Sequence, residues 1–108
     1  MKRIVGQLGR LKHEKIAEYE ALHADPWPEV LQTIHDCHIQ NYSIFRHEDL
    51  VFGYFEYVGE DYDLDMKKMA ADPKTQEWWS YTQPCFVSYG IREDSEYEAD
   101  IKQIFYAE

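Results

Sequence analysis

Cysteine is scarce in this chain: Cys37 and Cys85 are the only two among 108 residues. They fit no zinc or redox spacing, and neither has a basic neighbour in the local sequence to lower its pKa. Both read as reduced thiols of a cytosolic protein. Positive charge is also short, with 11 Lys and Arg against 21 Asp and Glu and a formal net charge of -10. That balance argues against nucleic acid, which needs a basic surplus on one face. It argues equally against an anionic membrane surface. No apolar run is long enough to span a bilayer, and no basic start, apolar stretch and cleavage site mark a signal peptide. A cytoplasmic location is the expectation. A glycine-rich phosphate loop, a G-x-S-x-G elbow and a dinucleotide fingerprint are all missing.

What the chain does have is aromatic residues: nine Tyr, five Phe and three Trp. A length of 108 residues makes one domain, 1–108, with one core. So small a core does not easily bury that many rings. A ligand pocket or a subunit interface must take the excess.

The hydrophobic pattern reads as two similar halves. Lys2 to Gly9 alternates as a strand, with Val5 and Gln7 on one face. Lys12 to Ala24 reads as a helix with Ile16, Tyr19 and His23 along one stripe. Asp25-Pro26 looks like an N-cap and first-turn proline, starting a helix that runs to about Cys37. Ile39 to Arg46 and Leu50 to Val58 read as a hairpin around His47-Glu48-Asp49. Tyr62 to Ala71 is a helix. Asp72-Pro73 starts another, which carries Trp78 and Trp79 to about Gln83 before Pro84 ends it. Cys85 to Asp100 reads as loop, and Ile101 to Tyr106 as the last strand. The order β-αα-β-β-αα-β predicts a ferredoxin-like α+β fold of four antiparallel strands with helices on one face. The Leu50–Val58 strand is bulky on both faces, with Phe52 and Tyr54 on one and Val51 and Phe55 on the other. A sheet wet on one side would alternate more cleanly. The second face is expected to meet the sheet of a second subunit, making a homodimer.

Tyr19 and His23 are four apart and share one helix face. An acid/base ring and a phenol then project side by side, and two adjacent tryptophans follow on another helix. Such groups beside bare aromatic faces are what a small sugar site needs. Each residue also has a plainer reading. His23 could cap helix C-terminal carbonyls. Tyr19 could be a half-buried core tyrosine, and Tyr42 could reflect the preference of aromatics for strands. Trp78 and Trp79 point about 100° apart on a helix, so one could fill the core and the other an interface. Trp27-Pro28-Glu29 reads as architectural first, with Glu29 favourable near a helix N-terminus. His35 and His38 are three apart, but no complementary ligand set appears elsewhere, and no metal is expected.

Tyr19-x-x-x-His23, Trp27-Pro28-Glu29, Asn41-Tyr42 and Trp78-Trp79, in this order and spacing, resemble the L-rhamnose mutarotase family. The resemblance runs from the first strand to Ile104-Phe105-Tyr106. It implies a dimeric α+β barrel whose enzymes interconvert the α and β anomers of L-rhamnose by acid/base ring opening, with no cofactor needed. It places His23 at the family's general acid, and Tyr19, Tyr42, Trp78 and Trp79 in the sugar site. Residues 84–100 do not match the family's usual loop, which leaves L-fucose or another 6-deoxy sugar open as the substrate. A cofactor-free monooxygenase of the same fold and a non-catalytic sugar-binding module are the competing readings.

Overall fold

The computed structural model of the protein describes residues 2–87 and 98–108. Strand β1 (Arg3–Leu11) is followed by a 3-10 turn at His13–Lys15 and helices α1 (Ile16–Ala24) and α2 (Pro28–Asp36). The hairpin β2 (Ile39–His47) and β3 (Leu50–Tyr57) comes next, then α3 (Tyr62–Ala71) and α4 (Pro73–Thr82). A 3-10 turn at Gln83–Cys85 leads to β4 (Phe86–Val87), and β5 (Glu98–Ile101) follows. All strand pairs are antiparallel, in the order β2-β3-β1-β4. Strand β5 pairs with β1 too, along Gly6–Gly9, while β4 takes Arg10 and Leu11. Two short strands therefore share the edge position expected for one.

Local chemistry sets the helix starts. The Asp61 carboxylate accepts from the Leu64 amide at 3.1 Å, and that of Asp72 from the Thr75 amide at 2.9 Å. Both cap orphan first-turn donors. The expected cap at Asp25 does not form. Helix α2 begins at Pro28 behind an extended Trp27 with no side-chain cap. Proline disfavours helical backbone in the residue before it, so Pro28 forbids a start two residues earlier. Asp25 lies instead just past the end of α1.

The last strand also falls elsewhere than expected. Pairing ends at Ile101, and residues 102–108 form no strand. The register puts Ile101 opposite Gly6, and a Cβ at Gly6 would come within 3.3 Å of the Ile101 side chain. A glycine there leaves room for the Ile101 side chain. Of the expected 85–100 loop, Phe86–Val87 and the residues from Glu98 onward are strand, and residues 88–97 lie outside those described.

One core cluster joins Leu11, Tyr19, Val51, Cys85 and Phe86. A second joins Val5, Ile39, Phe55 and Tyr57, with Ile34, Tyr62, Met66 and Met69 packed on it. Strand alternation sends Val51, Phe55 and Tyr57 toward the helices and Phe52 to the opposite face. There Phe52 pairs with Phe45, and the two rings stay 39% and 61% exposed. Tyr57 ties the sheet to α3: its hydroxyl donates to Asp65 and accepts from the Asp61 amide at 3.0 Å. Burial and the Asp65 carboxylate push this phenol up to about 12. A Cβ at Gly59 would run into that hydroxyl. His38 is not part of α2, which ends at Asp36. It sits past the helix end at φ 65 and its Nδ1 lies 3.0 Å from Asp65, while His35 is exposed.

Candidate functional site

Between the helices and the sheet, where the two core clusters part, lies a cleft of about 700 Å³. Tyr19, His23, Tyr42, Trp78 and Trp79 all line it. The five residues singled out in the sequence come from α1, β2 and α4, and the fold brings them together.

His23 sits in the last turn of α1, half-buried. Its Nδ1 is 2.8 Å from the Tyr19 carbonyl oxygen. A carbonyl can only accept, so Nδ1 carries the proton and donates. In the neutral ring, Nε2 is then the acceptor. Burial holds this imidazole below the ordinary histidine range, and the Tyr19 carbonyl opposes that shift. At neutral pH His23 is a neutral base. The Tyr19 ring stacks tilted on it with centroids 4.2 Å apart, and Trp78 meets it edge-on at 5.3 Å. Trp27 lies behind, edge-on to Trp78 at 5.3 Å and to Tyr81 at 5.7 Å. The Trp27 segment therefore supports the wall of the cleft. Trp78 is 7% exposed, while Trp79 is half-buried on the lining. His23 and Tyr19 also line a second cavity of about 430 Å³, where the Arg46 guanidinium meets the Glu20 carboxylate at 2.6 Å.

Tyr42 reaches the cleft because β2 is bulged. Gln40 pairs with Glu56 and Ser43 with Tyr54, so Asn41 and Tyr42 together oppose Phe55. The Tyr42 ring packs against Phe55 with centroids 5.3 Å apart.

The lining includes polar side chains that the motifs did not single out: Gln7, Thr75, Thr82 and Gln83. Gln7 carried a legible signal, since it is a polar residue on the same strand face as buried Val5. Its Nε2 donates to Asp100 at 3.0 Å. The hydroxyl of Thr75 is committed to Asp72 at 2.9 Å. Among the described residues, no group of three or more His, Cys, Asp or Glu is placed to hold a metal ion. The arrangement offers one neutral base, three phenols, amides and hydroxyls, and indole faces. It can bind a small polyol and move a proton on it.

Comparison with known proteins agrees with this chemistry. The family model of L-rhamnose mutarotase matches residues 4–107. An L-rhamnose mutarotase of Oceanobacillus iheyensis is 30% identical over 95 residues, covering 86% of each chain. One of Listeria monocytogenes is 34% identical over 92 residues, covering 82% of this chain and 83% of the other. Among solved structures, an L-rhamnose mutarotase of Formosa agariphila superposes with a TM-score of 0.76 at 19% identity, covering 98% of this chain and 99% of the other. Tetracenomycin F2 cyclase of Streptomyces glaucescens, a type-II polyketide cyclase, superposes with a TM-score of 0.66 at 14% identity over 98% and 99%. At these identities the structural likeness speaks to the fold alone.

Proposed function

The chain belongs to the L-rhamnose mutarotase family, and we propose that its cleft opens and recloses the pyranose ring of L-rhamnose. The observation that carries this reading is the neutral His23, with Nδ1–H committed to the Tyr19 carbonyl, on a cleft lined by tryptophan and tyrosine. Nε2 takes the proton of the anomeric hydroxyl as the bond from C1 to the ring oxygen breaks. The imidazolium returns that proton to the ring oxygen. Both oxygens are attached to C1, so one nitrogen serves them in turn. Rotation about C1–C2 turns the aldehyde over, and the reverse steps close the other anomer. Atoms and charge balance without a cofactor. Trp78 and Trp79 cover the apolar side of the sugar, and Tyr19 and Tyr42 orient its hydroxyls.

The enzyme works as a homodimer of the α+β barrel type, with ferredoxin-like halves joined through their sheets. The exposed Phe45–Phe52 pair on the sheet face away from the helices supports this. An obligate interface of this kind buries on the order of 2,000 Å² or more. The cytoplasm suits two buried free thiols.

NMR saturation transfer between the anomeric protons of L-rhamnose tests the activity, with L-fucose as comparator. Catalytic protein should speed L-rhamnose exchange. Sugar binding without faster exchange would leave only a binding module, and faster exchange of L-fucose than of L-rhamnose would move the substrate. A stable monomer in sedimentation at micromolar concentration would overturn the dimer.

A further inference from the structure

We propose that Glu56 is a positioning residue for the sugar site: by holding the Asn41 amide, its carboxylate locks the bulge that turns Tyr42 into the cleft. The inference deepens the mutarotase reading and rests on it for the meaning of the cleft.

The spacing of inward residues shows why the bulge matters. Ile39 is buried in the core, and Tyr42 and Ile44 line the cleft with it. These are separations of three and five residues. A regular strand alternates every residue, so inward partners of Ile39 would fall at 41 and 43. Tyr42 would then face away from the site. The extra residue restores it, and that residue is Asn41, at φ 53. Asparagine tolerates this left-handed backbone better than most residues but still at a cost. Something must hold it there.

Glu56 does so from the neighbouring strand. Its Oε1 accepts from Asn41 Nδ2 at 3.0 Å and lies 3.2 Å from Lys2 Nζ, and its Oε2 accepts from the Tyr54 hydroxyl at 2.6 Å. The residue is 8% exposed. A carboxylate so shielded is stable only when its oxygens are saturated by donors. Here one of those donors belongs to the bulged residue itself, and the next residue along is Tyr42. Glu56 touches neither the cleft nor His23 in these bonds. Its action passes through the backbone of residues 41 and 42.

The test uses Glu56→Ala, Glu56→Gln, Tyr42→Ala and the double variant Glu56→Ala/Tyr42→Ala. Glu56→Ala should raise KM for L-rhamnose about tenfold, with kcat changed much less. Glu56→Gln should recover most of the loss, because its amide oxygen still accepts from Asn41 and its NH2 can donate to Tyr54. In the Tyr42→Ala background, Glu56→Ala should raise KM little further. An unchanged KM in Glu56→Ala, or effects that multiply in full in the double variant, would overturn the proposal. Should Glu56→Ala fail to fold, Asn41→Gly cuts the same bond while permitting the left-handed backbone, and the same KM rise is expected. Nuclear Overhauser contacts between the Tyr42 and Phe55 rings read the pose without sugar. They should weaken in the cut variants and return in Glu56→Gln. Wild-type protein that does not exchange anomers would end the mutarotase reading, while these ring contacts would still decide the role of Glu56.

Discussion

His23 and Tyr19 share one hydrogen bond, from the imidazole Nδ1–H to the main-chain oxygen one turn back, 2.8 Å long. It fixes the tautomer of the neutral ring and makes the phenol and the base neighbours by construction. Because burial lowers the His23 pKa, the base form predominates above the ordinary histidine value of about 6.5. The acid limb of kcat/KM for anomer exchange should therefore be centred below about 6.5. The same shift acts on stability: the unfolded chain takes the proton first, so stability falls as pH drops below 6.5 toward the native value. An acid limb centred above 6.5 in the pH–rate profile would contradict this.

Trp78 and Trp79 should answer differently to sugar. Trp78 is already out of water against His23 and Trp27, whereas Trp79 is half-buried on the lining. Saturating L-rhamnose should shift the protein's emission, and Trp79→Phe should remove most of that shift. A shift that survives Trp79→Phe intact would take this indole off the sugar.

Leu11→Ala probes the packing beneath the site. Leu11 is 1% exposed and belongs to the cluster that holds Tyr19 and Phe86. The cavity left behind should lower stability by about 2–5 kcal/mol. Chemical denaturation measures this, and a loss well under 1 kcal/mol would mean that the cluster repacks around the gap.

Glu56 carries a second, pH-dependent signature. The Tyr54 hydroxyl, then Asn41 and Lys2, pull its carboxyl down to about 2. An unperturbed glutamate titrates near 4.3. The stability that Glu56 adds over Glu56→Gln should be constant above about pH 5. It should shrink as the pH falls from there toward 2. Denaturation midpoints of the two proteins across this range check it, and a gap that stays constant down to pH 2 would be the contrary result.

Much of this was legible in the sequence where a side chain acts on its own neighbourhood. Helix α3 spans Tyr62–Ala71 as the pattern predicts, and Asp72-Pro73 opens α4 because the carboxylate meets the Thr75 amide two positions into the helix. Asp25-Pro26 looked the same and failed, because Pro28 constrains Trp27. The Tyr19–His23 pairing follows from helical spacing alone.

Features set by distant partners were less legible. The composition of Ile104-Phe105-Tyr106 reads as a strand, yet Ile104 and Phe105 are 89% and 80% exposed, and pairing with β1 stops at Ile101. The pairing with β1 sets this end, with Ile101 opposite Gly6 as its last pair. The bulge at Asn41–Tyr42 was equally hidden. Read alone, 39–46 is a plain strand, and only pairing with β3 shows the extra residue. Tyr42 was found by resemblance to the family, and its route into the cleft required the structure.

The central claim is that His23 moves the proton that opens the ring. The direct measurement is saturation transfer between the anomeric protons of L-rhamnose with His23→Ala, its fold confirmed by circular dichroism and its assembly compared with wild type by sedimentation. Exchange should slow by about 10²–10⁴-fold, the usual range for a general acid/base. Sugar affinity should change far less, because the aromatic lining remains. Exchange near the wild-type rate in a folded variant of unaltered assembly would remove His23 from the chemistry.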